Sequence, residues 1–216
     1  MDASNRIRTG DVARGRSSFL GLRQLLDEGP LLVGLVLGWG LLWYLAESFV
    51  PMDIPVGPDW SQYLMSAWKI KGGVAEDYPV FRLPLYPWLL GTLGADIGYG
   101  LAAFYISSAA MVVVVLCAGV AGRLLAGPWA GGLAAISVPL VAVNAEASRW
   151  ASQYAFFGAL VGLCLVAALA LVWRPRWWLF LAAGVGAGLC WAVDSRGLVA
   201  LITAAALAVL GVLGAP

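Results

Sequence analysis

The chain is 216 residues long, 62% hydrophobic and only 12% charged, with a formal net charge of +1. That balance inverts the one found in soluble domains and leaves no bulk electrostatic attraction for nucleic acid. Histidine is absent, which removes the commonest general base and the commonest haem and zinc ligand together.

Several apolar runs approach or exceed the roughly 18–20 residues that a helix needs to cross about 30 Å of hydrocarbon. The expected fold is an all-α, polytopic transmembrane helical bundle of about six spans, with an exoplasmic loop carrying an interfacial amphipathic helix. Cys117, Cys164 and Cys190 lie inside apolar runs without CxxC spacing. They read as small buried hydrophobes rather than a disulfide or metal set.

Residues 1–28 carry Arg6, Arg8, Arg14, Arg16 and Arg23 among Ser, Gly and Asp. They read as a cytoplasmic basic tail, with 18–28 as a short helix on the membrane surface. Residues 29–216 form the transmembrane module. The first apolar run lacks a small-residue cleavage pattern and is expected to be a retained helix. It covers about 30–50, opened by Gly29-Pro30 and closed by Pro51. The exoplasmic loop, 51–97, is too rich in proline, glycine and charge to span. Further spans are expected at about 99–121, 128–144, 152–173, 177–193 and 197–213, the third interrupted by Pro139.

Orientation follows from the basic residues of short loops. With the N-terminus inside, the inner face holds the tail arginines, Arg123, Arg174 and Arg176. The outer face holds Lys69, Lys71, Arg82, Arg149 and Arg196, diluted by most of the acids. Trp173, Trp177 and Trp178 flank Arg174-Pro175-Arg176 as an interfacial belt. GxxxG spacings at Gly34/Gly38, Gly158/Gly162 and Gly184/Gly188 predict tight helix packing.

The loop carries most of the chemistry. From Pro58 to Trp68, the residues Trp60, Tyr63, Leu64, Ala67 and Trp68 recur at helical spacing and form one aromatic face. Asp59 begins that helix. It reads as an N-cap, or as a carboxylate that deprotonates or positions an acceptor at the membrane surface, and the two roles are compatible. Pro79, Pro84 and Pro87 then dictate a stiff, non-helical path that forms either a wall or a rigid turn packed on the bundle. Glu146, Arg149, Asp194 and Arg196 stand at outer helix ends, where charge is paired or lines a wet cavity. Asp194 and Arg196 can satisfy each other across a short turn. Arg82, Arg149 and Arg196 arrive on the side of Asp59, as a phosphate-bearing substrate would require.

The order of these elements resembles the N-terminal module of GT-C glycosyltransferases, the polyprenyl-phosphate-sugar-dependent membrane enzymes related to protein mannosyltransferases and bacterial aminoarabinose transferases. The resemblance is carried by Asp59-x-x-x-Tyr63-x-x-x-Ala67, Gly72-Gly73, Arg82-x-Pro84-Leu85-Tyr86-Pro87-x-Leu89-Leu90, Gly122-Arg123-Leu124-Leu125-Ala126-Gly127 and Asp194-Ser195-Arg196-Gly197-Leu198. It implies transfer of a sugar from a polyprenyl-phosphate donor to an exoplasmic acceptor. Asp59 would be the catalytic carboxylate, and Glu146 a second acid. Arg196, with Arg82 and Arg149, would neutralise the phosphate leaving group. Tyr63 and Tyr86 would face the acceptor or wall the site. No metal ligand is assigned; a metal, if bound, would be Mg or Mn held by carboxylates alone.

Family members usually continue with more spans, so two readings stand. One is a membrane glycosyltransferase working among membrane lipids. The other is a non-catalytic subunit that keeps the module's shape as a scaffold beside partner membrane subunits. A transporter is the weaker third, since neither an internal repeat nor a mid-span acid is evident. Richness in Ala, Gly, Arg and Trp points to a bacterial inner (plasma) membrane.

Overall fold

The computed structural model describes residues 7–49, 58–71, 84–141, 144, 147 and 153–213. Among them all the regular structure is helical. The elements are α1 (Ile7–Phe49), α2 (Pro58–Lys71), α3 (Leu85–Ile97), α4 (Tyr99–Ala126), α5 (Pro128–Leu140), α6 (Gln153–Trp173), α7 (Trp177–Val193) and α8 (Gly197–Leu213).

Three stretches are long and apolar enough to cross a bilayer: Asp27–Ser48 of α1, Tyr99–Ala126 and Gln153–Trp173. Helices α5, α7 and α8 are apolar but shorter. Val36, Leu133, Val185 and Ile202, on four different helices, are each more than half exposed. Outward-facing aliphatic side chains on helix after helix suit hydrocarbon and would be costly against water. The chain is a helical membrane bundle.

Small residues set the packing. An added Cβ on Gly34 would lie 2.2 Å from the Cα of Gly132, and one on Gly38 would lie 2.5 Å from the Ala135 carbonyl oxygen. Because these pairs rise together along both helices, α1 and α5 run parallel with their backbones in contact. Gly158 and Gly162 of α6 meet Val114 and Cys117 of α4 in the same rising order, so those two helices are parallel as well. Gly184 and Gly188, by contrast, face open space, and it is Gly186 between them that packs, against Cys164. Of the three GxxxG spacings, the first is tight at both glycines, the second at Gly162 alone, and the third at neither.

Gly98 (φ 89°) and Gly127 (φ 88°) take the left-handed conformation that breaks α3 from α4 and α4 from α5. The bundle thus has two distinct ends. One holds the start of the α1 span, Arg123, the α4–α5 turn and the α6–α7 turn. The other holds α2, α3 and the α7–α8 turn.

Three expectations change. Helix α1 runs straight through Gly29-Pro30 instead of starting there. Proline's fixed φ is itself helical, so although the ring removes one hydrogen bond the helix continues past it. Helix α5 stops at Leu140, short of residue 144, with Pro139 in its last turn. Thirteen residues give it about 20 Å of length. Finally, the packed face of α2 is Tyr63, Ser66 and Ala67, whereas Trp68 is 67% exposed. Close approach selects the small side chains: a Cβ on Gly91 of α3 would sit 2.8 Å from the Ala67 carbonyl oxygen, which leaves no room for an indole between α2 and α3.

Candidate functional site

The α7–α8 turn is short and closed on itself. Asp194 takes extended backbone angles (φ −149°, ψ 137°) that end α7, and its carbonyl accepts from the Gly197 amide at 2.8 Å. Gly197 is required there: a Cβ would lie 2.4 Å from the Cys190 carbonyl carbon.

That turn aims a carboxylate inward and a guanidinium outward. Asp194 Oδ1 accepts from the Arg196 backbone amide and from Arg196 Nε, both at 2.9 Å. Its Oδ2 accepts from Arg196 Nη2 at 2.6 Å and from Gln153 Nε2, at the start of α6, at 2.9 Å. The Asp194 side chain is 7% exposed and that of Arg196 62%. The guanidinium also lies 5.4 Å from the ring centroid of Tyr154, a cation–π distance. Asp194 and then Tyr154 raise the pKa of Arg196 further above its ordinary value. With both oxygens committed to donors, Asp194 orients Arg196 and is not placed to abstract a proton. The arrangement presents one fixed, permanently charged, planar donor at the end of the bundle, a geometry that suits a phosphate or carboxylate.

Beside this turn lies the aromatic core of the α2–α3 pair. Tyr63 and Tyr86 are buried and meet edge-on with ring centroids 5.3 Å apart, and Phe156 of α6 lies 6.0 Å from Tyr86. Val193, the residue before Asp194, belongs to the same packed cluster. The hydroxyl of Tyr86 is enclosed without a hydrogen-bond partner among the described residues. Ser107 approaches it, but no hydrogen bond closes. Burial pushes the pKa of this hydroxyl well up, so it stays protonated.

The structure therefore brings Arg196, Tyr63 and Tyr86 to one end of the bundle. Arg82, Glu146 and Arg149 lie outside the described residues. Asp59 is described only by its backbone, which occupies the first turn of α2 after Pro58. Proline at the first helical position is the usual arrangement, and it moves Asp59 one step past the cap. No cluster of three or more His, Cys, Asp or Glu suited to a metal occurs among the described residues.

Two contributors escaped the sequence reading. Gln153 supplies a donor to Asp194, and Tyr154 supplies a ring beneath Arg196. The available signal was an amide and a phenol side by side at the mouth of an apolar run. At the opposite end, Arg123 closes α4 onto α1 by an ion pair with Glu28, its Nε donating to Oε2 at 2.6 Å. Comparison of the chain with protein-family models, with curated proteins and with solved structures finds no match.

Proposed function

We propose that this chain is a membrane glycosyltransferase that takes a sugar from a polyprenyl-phosphate donor and passes it to an exoplasmic acceptor. In this reading the N-terminus is cytoplasmic and the membrane is a bacterial inner membrane. The observation that carries the reading is the guanidinium of Arg196, held outward by a buried carboxylate beside the α2–α3 pair. Arg196 grips the phosphate of the donor. Asp59 and Glu146 serve the acceptor hydroxyl, with Arg82 and Arg149 completing the charge around the leaving group.

The test is to purify the chain gently and identify bound lipid by mass spectrometry. The wild type should carry polyprenyl phosphate or its glycosylated form, and Arg196→Gln should weaken retention by about tenfold to a hundredfold, the range for one charge-assisted contact. Finding only bulk phospholipid on the wild type would sink the proposal.

A second reading, a non-catalytic subunit of the same shape, draws on one observation: Tyr63 and Tyr86 are packed shut against each other. It predicts that Asp59→Asn leaves the biological function intact while substitutions on outward helix faces abolish co-purification of partner membrane subunits.

A further inference from the structure

The α6–α7 turn lies at the end of the bundle opposite Arg196, because α6 runs parallel to α4 and ends level with Arg123. It reads Trp173-Arg174-Pro175-Arg176-Trp177-Trp178. Both arginines are exposed, and neither makes an ion pair among the described residues. Arg123, at the same end, is already neutralised by Glu28. Helix α1, which carries Glu28 and Asp27, packs on α4 and α5, whereas the turn belongs to α6 and α7. Two cations therefore stand together with no counter-charge beside them among the described residues.

The three indoles around them are 63%, 77% and 47% exposed. Indoles settle at headgroup depth, ring in the apolar zone and N–H toward the polar one. That fixes the guanidinium groups at the level of lipid phosphates, on a turn stiffened by proline. We infer that this turn is a binding site for the headgroup of an anionic phospholipid, with Arg174 and Arg176 as its charge partners and Trp173, Trp177 and Trp178 as its seat. The site is independent of the donor site proposed at Arg196.

The experiment is native mass spectrometry of the full chain in neutral detergent. The protein is titrated with phosphatidylglycerol or with phosphatidylcholine of the same acyl chains. The wild type should hold phosphatidylglycerol in preference. The double variant R174Q/R176Q should lose about twenty-five-fold in retention, since each basic residue near an anionic surface is worth roughly a factor of five. R174K/R176K should keep most of the preference, and R196Q should keep all of it. The inference is overturned if phosphatidylcholine is held equally well, if a folded R174Q/R176Q protein retains phosphatidylglycerol like the wild type, or if R196Q alone abolishes the preference. Should R174Q/R176Q fail to fold, sodium chloride decides: the wild-type preference must fall as salt rises, and a salt-independent preference overturns the site.

Discussion

Asp194 is almost fully enclosed, yet the guanidinium that it binds, two residues along the chain, keeps most of its surface open. The pair is therefore asymmetric, and its two ends should respond differently to substitution. Arg196→Gln leaves a carboxylate in a poorly solvated turn without its charged partner. It should lower stability by about 1–3 kcal/mol. Asp194→Asn leaves a neutral amide inside and a solvated arginine outside, and should cost less. The double variant should resemble Asp194→Asn instead of summing the two losses. Thermal unfolding in detergent measures all three, and additive losses would contradict the pairing.

Among the described residues Tyr86 carries a buried hydroxyl with no hydrogen-bond partner, so removing it should help the fold. Tyr86→Phe keeps the edge-on contact with Tyr63 and deletes only the unsatisfied group. Stability should rise by about 1 kcal/mol or stay level. A loss of more than about 1 kcal/mol would mean that the hydroxyl is in fact paired.

The same residue sets an alkaline limit. Its pKa in the folded chain lies above the unfolded value of about 10, so above that pH the unfolded state has lost a proton that the folded state keeps. Stability must then fall as pH rises beyond about 10, by up to about 1.4 kcal/mol per pH unit from Tyr86 alone. Tyr86→Phe should flatten that slope. An unchanged slope in the variant would assign the effect to other tyrosines.

Gly34 and Gly184 sit in the same kind of sequence motif but in opposite surroundings. Gly34→Ala drives a methyl into the backbone of α5, where nothing can rotate away, and should cost about 1–3 kcal/mol or more. Gly184→Ala meets open space and gains helix propensity, so it should be neutral or stabilising by up to about 1 kcal/mol. Equal responses would mean that α1 and α5 are not in backbone contact.

Much of the bundle was readable because long apolar runs leave few alternatives. The mutual satisfaction of Asp194 and Arg196 was readable as well, since two residues of separation leave little else for a turn to do. What escaped was contact between distant elements. Nothing local ties Gln153 to Asp194 or Glu28 to Arg123. Nor could local rules say that α2 would bury Ser66 and turn Trp68 outward, because the close approach of Gly91 decides it. Pro30 misled for a related reason: by itself a proline signals a helix start, and only the helix around it shows that the chain continues.

The backbone contact of Gly34 with Gly132 joins two helices separated in the chain by the whole of α2, α3 and α4. During synthesis the first span must therefore wait in the bilayer, its glycine stripe solvated by lipid, until the fifth helix emerges and slides in beside it. Assembly is committed late, and until α5 arrives α1 has α4 beside it, through Arg123 and Glu28, but lacks its most extensive partner. A lesion at Gly132 should accordingly appear as an insertion intermediate cleared by membrane proteolysis well before it appears as a defect in any finished molecule.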